Sequence, residues 1–178
     1  MKIVAILCLA LCISGAYGAD TKPIPANAEL KLMDGANDVA LTGMTVKVIK
    51  GYVGTLTAHS YETFTSYVLP EKAGGTWLQI PVDQPDGSIS EFRTAESADS
   101  NVQAVAMYRS AGALYAVVAT KNGGSPPDLY LKPAPIIFKV YRFNGSLDVA
   151  RFKLEQTSSS KASYMDAGDA LTKEFFSK

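Results

Sequence analysis

Val102–Thr120 reads VQAVAMYRSAGALYAVVAT. Two apolar runs, Val102 to Arg109 and Ala113 to Thr120, flank Ser110-Ala111-Gly112. That short glycine-bearing break between them predicts a β-hairpin. Ala113 to Ala119 (ALYAVVA) is apolar on both faces, which suits a strand in the middle of a sandwich sheet. Downstream, Lys121 to Pro135 reads as a loop carrying Gly123-Gly124 and four prolines. Ile136 to Phe143 (IIFKVYRF) is a strong strand, and Asn144-Gly145 behind it is a hairpin turn signal. Leu147 to Gln156 then alternates, with Ala150, Phe152 and Leu154 on one side and Arg151, Lys153 and Glu155 on the other. A serine run, Thr157 to Ser160, breaks the pattern. The tail from Asp166 to Phe176 predicts a helix, capped by Asp166 and bearing an i, i+4 apolar pair in Leu171 and Phe175.

Upstream the same grammar holds. Glu29 to Met33 predicts a short strand, followed by a turn at Asp34-Gly35. Val39–Leu41 and Met44–Lys50 pivot at Gly43. His59 to Leu69 is the longest candidate, rich in Tyr, Thr, Phe and Val, which fit a pleated surface. It ends at Pro70 and Gly74-Gly75. Thr76 to Val82, the turn Pro85-Asp86-Gly87 and a short Ile89–Phe92 complete the series. Short strands with turn signals at fairly even spacing are the mark of an all-β sandwich or barrel. No repeat of fixed period is present. The expected fold is an all-β, antiparallel β-sandwich with a short C-terminal helix, in a single domain over 29–178.

The N-terminus predicts export. Lys2 is a short positive region, Ile3 to Ser14 an apolar one, and Ala16-Tyr17-Gly18 a small-x-small cleavage site. Residues 1–18 therefore read as a signal peptide, and 19–28 (with DTKPIPAN over Asp20–Asn27) as a mobile leader. Both cysteines of the chain, Cys8 and Cys12, fall inside the signal. The mature protein would have none, so its core rests on apolar burial without disulfides, which a domain of this length can sustain. An exported domain without disulfides fits a bacterial periplasm. Cys12 also raises a lipid anchor, but Leu11 before it is larger than lipoprotein processing prefers.

Composition excludes several classes. There are 17 basic and 17 acidic residues, with no long run of either sign, so nothing marks a nucleic-acid binder. With no mature cysteine and a single histidine, His59, a zinc hydrolase or a thiol nucleophile has nothing to build on. Ser60 adjoins His59, but neighbours in a strand point to opposite faces. Neither a Gly-x-Ser-x-Gly elbow nor a Ser-x-x-Lys motif at a helix start occurs, and there is no phosphate loop or dinucleotide fingerprint. Glu62, Glu91, Glu96, Asp99 and Asp148 are carboxylates that sequence cannot pair, and each also reads as a solvated charge. Asp34 to Asp38 offers oxygen ligands without the acidic spacing of a calcium loop. No catalytic residue, metal or cofactor is expected. Among ligand-contact candidates, His59 reads either as a binding or pH-responsive group, titrating near about 6.5 when unperturbed, or as a structural histidine. Tyr61 and Trp77 read either as stacking platforms or as packing.

Two stretches carry a family resemblance. Leu30-Lys31-Leu32-Met33-Asp34-Gly35-Ala36-Asn37-Asp38-Val39 has the form L-K-x-x-x-G-x-N-x-V, and Thr57-Ala58-His59-Ser60-Tyr61-Glu62-Thr63-Phe64-Thr65 follows it. Together they resemble the opening and the A-H-S strand of the carbapenem intrinsic-resistance family, the CarG-like proteins. Ala116–Thr120, Pro133-Ala134-Pro135 with Ile136–Tyr141, and the ending Tyr164–Phe176 are similar to that family's late strands and terminal helix. The resemblance implies a periplasmic β-sandwich with short terminal helices, able to form a homodimer. It also implies resistance or immunity toward a β-lactam without a known hydrolytic site, and kinship with periplasmic inhibitors of lysozyme. Where relatives have an Asp-rich turn suited to a cation, this chain has Ala40-Leu41-Thr42-Gly43-Met44-Thr45, so no cation site is carried over.

The expected function is thus non-enzymatic: binding a β-lactam, or a periplasmic cell-wall protein that it attacks. The alternative is inhibition of a lysozyme-type cell-wall hydrolase through an exposed loop, with Asp83–Ser88 and Lys121–Lys132 as candidates. An enzyme working with carboxylates alone ranks third.

Overall fold

The computed structural model describes residues 23–177 apart from 85 and 98, so the signal peptide expected over 1–18 lies outside the described residues. The chain begins with β1 (Ile24–Pro25) and a 3-10 turn (Ala26–Ala28). Six strands follow: β2 (Gly35–Leu41), β3 (Met44–Val53), β4 (Tyr61–Val68), β5 (Leu78–Ile80), β6 (Val82–Asp83) and β7 (Ile89–Ser90). Next come β8 (Phe92–Arg93), β9 (Ala95–Glu96), β10 (Asn101–Ser110) and β11 (Ala113–Lys121). A one-turn helix, α1 (Asp128–Leu131), precedes β12 (Ala134–Asn144) and β13 (Arg151–Tyr164). Finally α2 (Ala167–Ala170) runs into a wider π-helical turn (Leu171–Phe175) and ends in β14 (Phe176–Ser177).

These strands form two facing sheets. The larger has the order β7-β6-β13-β12-β11-β10-β9, and the smaller β2-β3-β4-β5 with β8 also on β4. Pairing is antiparallel except at the single parallel contact Phe152↔Val82 and in the small β1–β14 pair. This is the expected antiparallel sandwich with a short C-terminal helix. The predicted strand Thr76–Val82 is divided at Pro81, where the chain leaves the small sheet for the large one. Proline cannot donate to a ladder, and its free carbonyl accepts from Phe152 N at 2.9 Å in the large sheet. The short run Ile89–Phe92 is divided likewise, with β7 in the large sheet and β8 in the small one.

The core has two compartments. Between the sheets, Val39, Val46, Val48, Phe64 and Ile80 face Met107, Leu114, Ala116, Tyr141, Phe143 and Phe152. Phe92 meets Tyr141 and Phe152 edge-on, with centroids 5.4 and 5.1 Å away. On the outer face of the large sheet, Ala104, Ala106, Val117, Ala119, Ile136, Phe138 and Val140 pack against Ala167, Ala170, Leu171, Phe175 and Phe176. Asp166 caps that helix, accepting from Gly168 N at 2.6 Å and Asp169 N at 3.2 Å. Tyr108 stacks on Tyr115 at 5.0 Å and takes the edges of Phe175 and Phe176. Burial there pushes the Tyr108 hydroxyl well above its ordinary pKa.

Four segments differ from the sequence expectation, each for a tertiary reason. Glu29–Met33 is not a regular strand: Glu29 makes one bridge to Tyr108, and Leu30 N donates to Met107 O at 2.8 Å. The segment covers the otherwise open edge of β10. Residues 24–28, assigned to the leader, take part in the fold, because β1 pairs with β14 and Ile24 packs on the outer core. The serine run does not end the last strand. β13 continues to Tyr164 through two register shifts, and Ser160 Oγ accepts from Ile136 N at 2.8 Å in place of a ladder bond. The expected turn at Asp34-Gly35 passes directly into β2. Gly35 takes φ +91, which a side chain resists. Asn37 then locks the approach: Oδ1 accepts from Met33 N at 2.9 Å, and Nδ2 donates to Met33 O, Gly35 O and Val48 O at 2.8, 3.0 and 3.3 Å.

Lys121 is the one buried cation among the described residues, 5 % exposed, and its Nζ has no hydrogen-bond partner. Desolvation pushes its amine below the usual 10.5, only partly offset by the Asp166 carboxylate. A buried charge of this kind costs stability.

Two predictions follow from these contacts. Asn37→Ala should lower unfolding stability by about 1–2 kcal/mol, since several partly exposed hydrogen bonds are lost together; an unchanged denaturant midpoint would show that they carry nothing. Lys121→Met should stabilise the protein at neutral pH. In the wild type the unfolded chain binds the Lys121 proton more tightly, so stability should rise as pH climbs toward 10.5. Melting curves across that range should show the rise, and the Met variant should lose it.

Candidate functional site

His59, Tyr61 and Trp77 do not converge. His59 lies exposed just before β4; its Nδ1 is 3.4 Å from Glu96 O, and its ring centroid is 6.3 Å from that of Tyr130. Tyr61 opens β4. Phe64 and Ser66 of that strand are buried, so alternation puts Tyr61 and Tyr67 on the opposite, outward face. Arg93 Cζ stands 5.8 Å from the Tyr61 ring. Trp77 is 47 % exposed, edge-on to Tyr67 at 5.9 Å, with Lys47 Nζ 6.0 Å from its ring. Tyr61 and Tyr67 are six residues apart, roughly 20 Å along a strand, so Trp77 sits at the far end of β4 from His59. Lys47 is itself paired with Asp38 at 2.5 Å.

The motif residues near His59 hold loops together. Ser60 is buried, its hydroxyl accepts from Thr55 N at 3.4 Å, and its carbonyl accepts from Glu96 N at 3.4 Å. His59 and Ser60 thus serve different partners. Lys50 bridges Glu62 at 2.7 Å and Asp34 at 3.5 Å, and the Glu62 bond raises its amine above the ordinary value. Glu91, Asp99 and Asp148 are exposed. Among the described residues, no group of three or more His, Cys, Asp or Glu side chains gathers where a metal could sit.

A cleft opens at the other end of the sandwich. The β2–β3, β10–β11 and β12–β13 turns meet there around an open cavity of ≈ 630 Å³, within the roughly 300–1,000 Å³ usual for small-molecule sites. Leu41, Met44, Leu114, Phe143 and Leu154 give it apolar walls, and Arg142, Lys153 and Glu155 a charged rim. Arg142 Nη1 lies 3.7 Å from Glu155 Oε1. Two backbone features shape the cleft. Gly145 stays small because a Cβ there would come within 3.1 Å of Met44 Sδ and of Phe143 Cε1. β13 is bulged: Val140 pairs with Gln156 and Tyr141 with Leu154, leaving Glu155 over. Lys153, Leu154 and Glu155 all border the cleft beside this bulge.

None of the cleft residues was singled out from sequence. The Asn144-Gly145 turn marked the hairpin, but an alternating charged strand gives no local sign that its charges meet two other turns. Of the loops proposed as contacts, Asp83–Ser88 spans the tight β6–β7 hairpin, closed by Gln84 N to Ser88 O at 2.9 Å. Lys121–Lys132 carries α1, with Leu131 exposed.

No family model and no curated protein matches the chain. Among solved structures, a crystal structure of CarG superposes with a TM-score of 0.63 over 84% of this chain and 99% of that one, at 19% sequence identity. The chain has a CarG-like fold.

Proposed function

We propose that this chain is an exported carbapenem-resistance protein that acts in the periplasm without catalysis, by binding a β-lactam or a cell-wall protein that β-lactams attack. The observation that carries the reading is the CarG-like fold over 84% of the chain, joined to the sequence motifs that resemble the same family. The signal-like N-terminus and the cleft at the end of the sandwich support it. Expressed with residues 1–18 in a carbapenem-sensitive bacterium, the full chain should raise the minimum inhibitory concentration of a carbapenem beyond dilution error. Unchanged susceptibility at confirmed periplasmic expression would overturn the reading. So would purified protein that opens the β-lactam ring at an enzymatic rate.

One observation favours a second reading, inhibition of a lysozyme-type hydrolase. Leu56, between β3 and β4, is fully exposed and held at φ +58, a conformation that costs a leucine on the order of 1 kcal/mol. A protruding apolar residue kept under strain suits insertion into a concave partner. Titrating the protein against several lysozymes should then reduce their activity, and Leu56→Ser should relieve the inhibition. Full lysozyme activity at excess protein rules the reading out.

A further inference from the structure

We infer that the cleft between the β2–β3, β10–β11 and β12–β13 turns binds a small organic carboxylate with an apolar body, the anion held by Lys153 and the body laid on Met44, Phe143 and Leu154. The inference rests on the binding reading above and gives that reading a place and a ligand chemistry. Its first support is the lining: apolar side chains continuous with the core beneath, with charge confined to the rim. Its second is the charge balance. Arg142 and Glu155 face each other at 3.7 Å and largely cancel. Lys153 borders the same cleft and forms no ion pair among the described residues, so the rim carries one uncompensated positive charge.

That balance selects the ligand. One net cation suits a monoanion, whereas a polyanion needs a field of several. A cationic ligand would find only Glu155, already engaged by Arg142. A carboxylate without an apolar body would leave Met44, Phe143 and Leu154 uncovered and gain little beyond one partly exposed ion pair, worth about 1 kcal/mol at most. An acid carrying a ring or alkyl body uses both features, and β-lactams, which bear a carboxylate on an apolar bicycle, belong to that class.

The methionines supply the test. Met44 lines the cleft, while Met33 and Met165 are exposed outside its lining. In full-length protein labelled at methionine methyls, phenylacetate and benzylpenicillin should each shift the Met44 resonance saturably and leave Met33 and Met165 in place. Phenylacetamide, which keeps the body and loses the charge, should bind at least about fivefold more weakly, as should phenylacetate to Lys153→Gln, the loss of one partly exposed ion pair. Glu155→Gln, which frees Arg142, should tighten phenylacetate binding. A Met44 signal that does not respond, equal affinity for acid and amide, or Lys153→Gln binding like the wild type would overturn the assignment. If Met44 stays silent while the chain still raises carbapenem tolerance, this cleft assignment fails and the resistance reading stands. If Met44 responds and tolerance is unchanged, the cleft stands and the resistance reading fails.

Discussion

The rest of the fold depends on β11 being apolar on both faces. Leu114 and Ala116 point between the sheets, Val117 and Ala119 point the other way, and all four are wholly buried. A strand like that cannot sit in a sheet with one solvated face, so the large sheet needs two covers. The small sheet supplies one. The C-terminal segment supplies the other, bringing Leu171, Phe175 and Phe176 onto an outer face lined with small residues at Ala104, Ala106 and Ala119. This makes the C-terminus a wall of the core. Asp166 joins it to the sheet from both sides, capping the helix with Oδ1 while Oδ2 accepts from Asn101 N of β10 at 2.8 Å. Once the tail is docked, Phe176–Ser177 offers an edge, and Ile24–Pro25 pairs with it.

The same constraint sets where the cleft falls. The helical cover starts beyond the Tyr164 end of β13 and extends only as far as the stacked pair Tyr108 and Tyr115. In register, Tyr115 is paired with Arg142 and Arg142 with Lys153. The aromatic cover therefore stops about where the charged rim begins, and past that line the outer face of the sheet meets solvent. There Arg142, Lys153 and Glu155 of β12 and β13 are exposed, beside three turns whose apolar residues are continuous with the inner core.

Sequence revealed those parts of the fold whose signals are local. The strong strand run of β12, alternation in the first half of β13, the Asn144-Gly145 turn, the Asp166 cap and the two-faced run in β11 each carry their meaning within a few residues. What escaped was set by partners far away in the chain. The Thr157–Ser160 stretch looks like a loop because serine is poor at filling a sheet face, yet Ser160 uses its hydroxyl to complete the ladder with Ile136. The two- and three-residue strands around Pro81 and Glu91 exist only because two sheets lie on either side of them. The bulge at Glu155 sits inside a run that alternates regularly in sequence, and nothing local announces the extra residue. The cleft was invisible for the same reason, because its lining comes from three hairpins. His59, Tyr61 and Trp77 have the chemistry of ligand contacts, and chemistry alone says nothing of the distance that separates them along β4.

The residues that carry the family resemblance also have a common use. Gly35 and Asn37 fix the entry to β2, Ser60 ties down the β3–β4 loop, and Asp166 anchors the terminal helix. Each solves a backbone problem: a left-handed turn, unpaired loop amides, a helix start. A chain that keeps these solutions keeps the path of its backbone, while the side chains between them remain free to change. At 19% identity and a TM-score of 0.63, the backbone path is shared with CarG while most side chains differ. The motif residues thus hold the backbone path, whereas the charged residues that border the cleft lie outside them. Arg142, Lys153 and Glu155 are of that second kind. They stand on strands, where a side chain can be positioned closely, and they border a cleft formed where three turns meet. Among the described lining residues only these three are charged, so on the reading proposed above a single substitution there would change the charge the cleft presents to a ligand.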